Sequence, residues 1–477
     1  MLFNSLEFII FFVVVIGLYY ILPHKFGWVL LLISSCIFYM AWRMELIVLI
    51  LFTTFVNYFC ALKIHNSNSP GLRKNILILS MAINFGLLIF FKYLMFISHS
   101  FKWIYEYFGL IYPIGEFDII LPMGISFYTF QAASYTIDIY RKEYEPEKNF
   151  FKFALFITFF PQLVAGPIER ADNLLGQLFT EKSFDTDNFS MGIKYMLMGF
   201  FKKIVIADRV AMLVNNVYNN VTDYRGIALI IATFMFTFQI YCDFSGYSDI
   251  AKGSAKCLGI NLMENFDKPY LSASIKEFWR RWHISLSTWF KDYVYIPLGG
   301  SRCSLVKNYR NLFVTFMISG LWHGASWTFV IWGMLHGVYQ IIGSIKNKII
   351  PFRLPKILSV PITFCFVAFA WIFFRGNNIS DCVYIVQNLF SDFDSLSFQY
   401  AYETMLGLGL GSFEIVMVTV CILWLMVTEL ISYKSNIHLL LNKLPFVFRL
   451  AYYYCVTVAI IALGVFGSGG EFIYFQF

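Results

Sequence analysis

The sequence predicts an all-α polytopic integral membrane protein, and two observations support that prediction. Of the 477 residues, 59% are hydrophobic and only 14% are charged, whereas a soluble domain needs about 25% charged residues. Apolar stretches long enough for a bilayer-spanning helix, which needs about 20 residues, recur along the whole chain. The first, 8–22, follows no basic segment and precedes no small-residue cleavage site, so we interpret it as a span and not as a signal peptide.

The charges in the loops predict the topology, because short cytoplasmic loops carry an excess of Lys and Arg. Segments 63–75, 344–356 and 432–449 contain bases and no acid, whereas acids outnumber bases in 99–118 and 377–411. We therefore expect the first three segments to be cytoplasmic and the other two to face outward. This order puts both termini on the extracytoplasmic side. The first four spans are predicted at 8–22, 28–42, 46–62 and 76–97.

Further apolar stretches follow, and two of them contain helix-breaking residues. The stretches lie near 119–137, 151–166, 191–213, 226–242, 311–322, 325–343, 357–374, 412–431 and 449–468. Pro122 and Gly124 interrupt the first, and Pro161, Gly166 and Pro167 interrupt the second. Non-helical backbone at membrane depth is tolerated only where protein or a water-filled cavity surrounds it. We therefore expect re-entrant segments around a central cavity, within a single membrane domain over 1–477.

Segment 251–312 is the longest stretch without a credible span. It contains ten Lys or Arg residues and four acids, which predicts a cytoplasmic or interfacial location. Apolar residues recur in it at helical spacing and predict one helix lying in the membrane interface. They are Ile275, Phe278, Trp279, Trp282, Leu286, Trp289, Phe290 and Tyr293. A plain interfacial anchor is the competing interpretation.

Histidines near the centre of the chain are candidates for chemistry. His323 lies within an apolar stretch, where an ionisable group is costly and is by default a functional candidate. A neutral imidazole suits general-base work on a hydroxyl, although a buried structural imidazole is the alternative. His283 lies beside the apolar stripe and can reach a polar site, although a merely solvated role competes. His336 follows thirteen residues after His323, so the two cannot share one helical face, which disfavours a two-histidine metal site.

Other chemistries leave no signature in the sequence. The nine cysteines are scattered without a CxxC pair or a zinc-site spacing, so we expect no metal site. The absence of GxSxG, Walker A and HExxH motifs argues against a hydrolase, an NTPase or a metalloprotease. The net charge of +7 lies mostly in loops and therefore does not indicate nucleic-acid binding. Asp243 and Asp249 lie at the predicted end of a span, which is compatible with a helix boundary or with a polar funnel wall.

Four motifs are specific enough to indicate a family. They are RRWHISLSTWFKDYVYIPLGGSR (280–302), GLWHG (320–324), YCDFSGYSD (241–249) and FIYFQF (472–477). Together they resemble the bacterial membrane-bound O-acyltransferases (MBOAT) of the alginate O-acetyltransferase and peptidoglycan O-acetyltransferase type. The resemblance covers the full length of the chain. It implies an MBOAT-type helical bundle around a tunnel between a cytoplasmic acyl-donor site and an external acceptor site.

The same resemblance implies roles for individual residues. His323, in the WHG element, matches the catalytic residue of the family, and His283, in the RxWH element, matches its second characteristic histidine. The implied acyl donor is acetyl-CoA, and basic side chains of 276–302 suit its anionic phosphates. We assign donor binding to Arg280, Arg281, Lys291 and Arg302.

The function that the resemblance implies is acetyl transfer from cytoplasmic acetyl-CoA across the bacterial plasma (inner) membrane to an extracytoplasmic polysaccharide such as alginate, peptidoglycan or cellulose. The expected partners are membrane lipid, the polysaccharide and an external SGNH-type serine transferase or esterase, with no nucleic acid. D-alanyl transfer to teichoic acid is the alternative among enzymes. The ending FIYFQF favours acetyl transfer, because a separate small membrane peptide carries a similar ending in the D-alanyl system. A transporter or channel is the alternative from another class, but the paired halves typical of transporters are not apparent.

The external C-terminal tail, 467–477, predicts a role for Tyr474. Glycines supply a turn after the final span, and apolar residues can press the tail into a membrane-level cavity, where Tyr474 offers the only side-chain hydroxyl after Ser468. A phenol is a poor nucleophile unless a base lies within hydrogen-bond reach, and His323 is the candidate base. Together with the family resemblance, this leads us to expect Tyr474 to carry or deliver the acetyl group. An aromatic plug or a partner-docking tail is the alternative.

Overall fold

Helices dominate the computed structural model, which describes residues 1–113, 115, 119–164, 166–349, 354–391, 397–466 and 472–473. No strand occurs in these ranges. Seven helices in the described part of the chain are long and apolar enough to cross a membrane, which confirms the all-α polytopic prediction. They are Met44–Asn66, Pro70–Tyr107, Ile227–Cys257, Trp327–Ile349, Lys356–Arg375, Ser412–Ile431 and Phe446–Leu463.

Internal contacts divide the chain into two compact units. Unit 1 comprises Met1–Gly192 and Ala251–Met263, and unit 2 comprises Ile193–Ile250 and Glu264–Phe477. Two of the boundaries fall inside helices and not in a Pro- or Gly-rich linker. The expectation of a single membrane domain over 1–477 stays a prediction.

Unit 1 contains helices α1 to α9 and the first part of α10. Their bounds are α1 (Leu6–Ile21), α2 (His24–Met40), α3 (Ile47–Asn66), α4 (Pro70–Leu88), α5 (Leu94–Tyr107), α6 (Ile125–Arg141), α7 (Phe150–Thr158), α8 (Phe160–Leu163), α9 (Ala171–Phe179) and α10 (Thr186–Phe200). The buried side chain of Asn57 on α3 donates to Asn84 Oδ1 at 2.9 Å and accepts from Thr136 Oγ1 at 2.8 Å. These bonds tie α3 to α4 and α6, as polar side chains do between apolar helices.

The two interruptions predicted in unit 1 are present. α6 begins only at Ile125, after Gly124 adopts a left-handed φ of 73°. In the second stretch, the helix ends at Thr158, and the short α8 follows a non-helical Phe159. The first four predicted spans correspond to α1–α4, whereas the re-entrant arrangement stays a prediction.

Unit 2 contains the rest of α10 and helices α11 to α22, except that the end of α12 from Ala251 onward belongs to unit 1. Their bounds are α11 (Asp208–Tyr218), α12 (Ile227–Cys257), α13 (Ile275–Arg281), α14 (Ile284–Phe290), α15 (Leu305–His323), α16 (Trp327–Ile349), α17 (Lys356–Arg375), α18 (Ile379–Asn388), α19 (Phe398–Gly407), α20 (Ser412–Ile431), α21 (Ile437–Leu441) and α22 (Phe446–Leu463). A π-helical segment, Phe201–Ala207, joins α10 to α11.

Two features of unit 2 differ from the sequence prediction. α12 continues through Asp243 and Asp249, which therefore lie inside the helix and not at its end. The predicted continuous helix over 275–293 is broken between α13 and α14, because His283 adopts a left-handed φ of 44°. Its tryptophans are buried within the protein. The stripe therefore packs against protein, whereas the cytoplasmic or interfacial location of 251–312 stays a prediction.

Candidate active site

His323 lies where α15 meets α16. A Cβ atom on Gly320 would lie 2.2 Å from Phe329 O, and one on Gly333 would lie 2.3 Å from Phe316 O. Only glycine permits this backbone approach, which is typical of closely packed membrane helices. The close packing brings the ring of Trp332 to a centroid distance of 4.9 Å from the ring of His323.

His283 occupies the break between α13 and α14. Its Nδ1 accepts a hydrogen bond from Leu286 N at 3.3 Å and so caps the first turn of α14. Because Nδ1 accepts, this hydrogen bond assigns the proton of the neutral ring to Nε2. His283 is fully buried, and burial lowers the pKa of its imidazole to about 3. A neutral ring with an Nε2–H donor is therefore the form present at physiological pH.

The two histidines lie side by side in unit 2. Their ring centroids are 6.3 Å apart. The ring of Trp322 lies 5.0 Å from that of His323 and 6.0 Å from that of His283. Phe374 contacts His323 at 5.5 Å, and Phe244 contacts His283 at 4.6 Å. His323 is 2% exposed. The aromatic surroundings exclude bulk water, so the solvated role considered for His283 is wrong.

His336 is not part of this pair of histidines. It lies on α16, whereas His323 ends α15, so the assumption that both occupy one helix is wrong. The ring of Trp332 contacts both His323 and His336, and His336 Nδ1 accepts from Trp279 Nε1 at 3.1 Å. Within the described ranges, no group of three metal-ligating side chains occurs.

The C-terminal segment contacts the aromatic wall of His283. The ring of Phe472 lies 5.6 Å from that of Phe244 and 4.4 Å from that of Tyr247. The backbone N–H of Ile473 donates to Asp243 Oδ2 at 2.7 Å. Tyr474 lies outside the described residues, so its predicted role stays a prediction.

Sequence reasoning missed Lys203. Its Nζ lies 2.8 Å from Asp208 Oδ1 and 2.6 Å from Asp243 Oδ1, and all three side chains are buried. We call Lys203, Asp208 and Asp243 the lysine–aspartate cluster. The available signal was a charged residue inside the apolar stretch 191–213, a position where charge is costly and usually functional.

The basic residues assigned to the donor do not all lie together. An open pocket of about 640 Å³ is lined by Asp267, Ser274, Lys276, Glu277, Arg280 and Arg281. Arg281 is engaged by Glu277 Oε1 at 3.0 Å and Asp267 Oδ2 at 3.5 Å, whereas Arg280 is exposed. Lys291 and Arg302 are exposed and do not line this pocket.

Substituting His283 separates its capping role from its chemistry. Asn tolerates a left-handed φ and keeps an oxygen that can accept from Leu286 N, but it lacks the ring Nε2–H. We expect His283→Asn to retain folded protein and to lose at least tenfold in acyl transfer. His283→Ala should also lose about 2 kcal/mol of stability, because it loses the cap and strains the backbone. Equal transfer by His283→Asn and the wild type would exclude a chemical role.

The dependence of stability on acidic pH should also distinguish His283→Asn from the wild type. The folded-state pKa of His283 is about 3, below the ordinary 6.5, so the unfolded state binds the proton more strongly between these values. The contribution of His283 to stability is therefore present above pH 6.5 and is lost as the pH falls toward 3. We expect the melting temperature of the purified wild type to fall more steeply across this range than that of His283→Asn. Parallel curves would contradict the lowered pKa.

Comparisons with known proteins agree with the motifs of the sequence. A profile described as MBOAT, membrane-bound O-acyltransferase family, matches residues 143–386. The chain is 40% identical over 396 residues to the probable alginate O-acetylase AlgI of Pseudomonas aeruginosa, and this alignment covers 82% of this chain and 75% of that protein. It is 36% identical over 390 residues to the peptidoglycan O-acetyltransferase of Helicobacter pylori, covering 75% and 73%. It is 29% identical over 276 residues to the teichoic acid D-alanyltransferase of Bacillus subtilis, covering 54% and 70%.

Proposed function

Because this chain belongs to the membrane-bound O-acyltransferase family, we propose that it transfers acetyl groups from cytoplasmic acetyl-CoA to hydroxyls of an extracytoplasmic polysaccharide. It is a multi-pass membrane acyltransferase, and its relatives named for alginate and peptidoglycan O-acetylation cover more of the chain than the D-alanyltransferase does. The observation that carries the proposal is the buried pair of His323 and His283, whose rings lie 6.3 Å apart among aromatic side chains.

The chemistry assigned to this pair is general-base acyl transfer. His323 takes the proton of the attacking hydroxyl, and the oxygen of that hydroxyl forms the new ester bond to the acetyl carbonyl carbon. The thioester C–S bond breaks, and the leaving thiolate takes up the proton. His283, neutral and protonated on Nε2, is a candidate donor to the carbonyl oxygen on which negative charge develops. Exclusion of water by the aromatic wall protects the thioester from hydrolysis.

The donor phosphates fit the pocket at α13 only in part. Its basic side chains, Lys276, Arg280 and Arg281, exceed its acids by one, and the guanidinium of Arg281 already faces two carboxylates. Arg280 and Lys276 are therefore the better candidates for contact with the donor phosphates. Lys291 and Arg302 keep their assignment only as a prediction.

The proposed function also requires a defined membrane and orientation. Under this proposal, the chain lies in the bacterial inner membrane with both termini outside, so that the donor binds on the cytoplasmic side and the acceptor binds on the other. Transfer to a large polysaccharide calls for a partner that selects the acceptor. An external SGNH-type serine transferase or esterase is the proposed partner, with membrane lipid as the surrounding medium.

Labelled donors test the function directly. Inverted membrane vesicles from cells that make this chain expose the cytoplasmic face, and they are supplied with acetyl-CoA labelled in the acetyl group. We expect label on polysaccharide inside the vesicles, and none with His323→Ala. Label from a D-alanyl carrier protein in place of acetyl-CoA would overturn the acetyl assignment.

The same assay tests the donor pocket. Arg280→Ala should raise the half-saturating acetyl-CoA concentration by about tenfold, the factor expected from losing one charge-assisted contact. Lys307→Ala is the control, because Lys307 is also positively charged and exposed but does not line the pocket. If both variants show the wild-type concentration dependence, this pocket does not bind the donor.

A further inference from the structure

The carboxylate of Asp243 makes two contacts at once. Its Oδ2 accepts from the backbone N–H of Ile473 at 2.7 Å, and its Oδ1 lies 2.6 Å from Lys203 Nζ. Asp243 is 3% exposed. A carboxylate offers two acceptor oxygens, whereas the amide of Asn offers one. Asp243 therefore uses one oxygen for Lys203 and the other for the C-terminal segment, and an amide could not accept at both positions.

Close helix packing makes the lysine–aspartate cluster possible. A Cβ atom on Gly246 of α12 would lie 2.8 Å from Gly199 O and 3.2 Å from Lys203 N. The backbone of the helical run that carries Lys203 therefore lies directly against α12. A buried ammonium is costly unless it is paired, and pairing with Asp208 and Asp243 orients both carboxylates.

Side chains of α12 contact both the C-terminal segment and the ring of His283. Phe472 contacts Phe244 and Tyr247, and Phe244 contacts the ring of His283 at 4.6 Å. One turn of α12 thus supplies the hydrogen-bond acceptor for Ile473, the packing surface for Phe472 and part of the wall of His283.

We propose that Asp243, oriented by Lys203, is a positioning residue that fixes the C-terminal segment at residues 472–473 beside the histidine pair. This role rests on the proposed function and on the predicted role of Tyr474, the next residue in the sequence, in carrying or delivering acetyl. A fixed residue 473 limits the volume that residue 474 can reach and so lowers the entropic cost of transfer. If the cluster served only to hold helices together, Asp208 and Asp243 would be equivalent.

Two isosteric variants separate these roles. Asp243→Asn and Asp208→Asn remove the same charge, and each removes one of the two carboxylates that pair with Lys203 among the described residues. Only Asp243 also bonds to Ile473. The two variants are therefore matched in the electrostatics of the cluster and differ in the anchor.

Hydrogen–deuterium exchange of the full-length protein reads the anchor without any substrate. We expect the Ile473 amide to exchange about 10- to 100-fold faster in Asp243→Asn, the factor implied by losing a hydrogen bond to a charged acceptor. Exchange in Asp208→Asn should match the wild type. Polysaccharide acetylation per folded protein should fall at least tenfold in Asp243→Asn and remain within twofold of the wild type in Asp208→Asn.

Equal changes in the two variants, in exchange or in acetylation, would overturn the positioning role. Ile473→Pro removes the donated N–H and leaves the aspartates in place, so it tests the anchor even if an aspartate variant fails to fold. It should reproduce the loss of acetylation. Where Asp243→Asn folds, the double variant should show no further loss. Additive losses would overturn the proposal. Absence of acetylation in the wild type would refute the proposed function, whereas the exchange comparison would still test the anchor.

Discussion

Replacing His323 with Ala should abolish acetyl transfer while leaving the protein folded in the membrane. General-base catalysis contributes about 10²- to 10⁴-fold, and His323 is the buried imidazole that ends α15 beside His283. We expect at least a 100-fold loss of acetyl on the surface polysaccharide at equal yield of detergent-extracted protein. His323→Gln, which keeps more of the side-chain volume, should show the same loss.

His336 provides the matched control for this substitution. It is also a buried imidazole, and its ring contacts the same Trp332 at 5.0 Å, compared with 4.9 Å for His323. His336→Ala therefore creates a similar cavity against the same indole. It should retain most of the transfer per folded protein. Equal losses in both variants would assign the effect to packing and remove His323 from the mechanism.

If the phenol carries the acetyl group, replacing Tyr474 with Phe should lower the acetyl content of the polysaccharide at least 100-fold. Phe keeps the ring and lacks only the hydroxyl. In the proposed relay, the phenol oxygen takes acetyl from the thioester and releases it to a hydroxyl of the partner or the acceptor, because phenolate is a better leaving group than an alkoxide. The anchoring of Ile473 by Asp243 supports a placed C-terminal segment. The measurement is acetyl content of the polysaccharide at matched protein level.

Phe475→Leu is the control for the relay, because it perturbs packing and leaves the hydroxyl. Acetylation should persist in Phe475→Leu and disappear in Tyr474→Phe. Full activity of Tyr474→Phe would reject the relay. Loss in both variants would favour the aromatic plug or the docking tail.

The helical class and the histidines could be predicted from local patterns. Spans are recognised from about 20 apolar residues, and α1–α4 lie where the hydropathy predicts them. Pro and Gly residues predicted the interruptions before α6 and within 151–166, because their backbone limits are local properties. His323 was a candidate because ionisable side chains are rare inside apolar stretches.

Periodicity misled where one residue has an unusual backbone. The apolar stripe over 275–293 satisfies helical spacing on both sides of His283, so the spacing cannot reveal the left-handed φ that separates α13 from α14. The same spacing is compatible with a lipid-facing or a protein-facing stripe. Contacts between distant segments decide that question, and the tryptophans are buried.

The sequence by itself determined that this is a helical membrane acyltransferase with two candidate histidines, since composition, hydropathy and motifs are properties of neighbouring residues. Only the tertiary structure decided which side chains meet. His283 and His323 are 40 positions apart, and Asp243 bonds to a residue 230 positions away. Such contacts depend on the close approach of helices at glycines such as Gly246 and Gly320. A glycine has the same identity whether it faces lipid or another backbone, so the approach becomes visible only when the helices are packed.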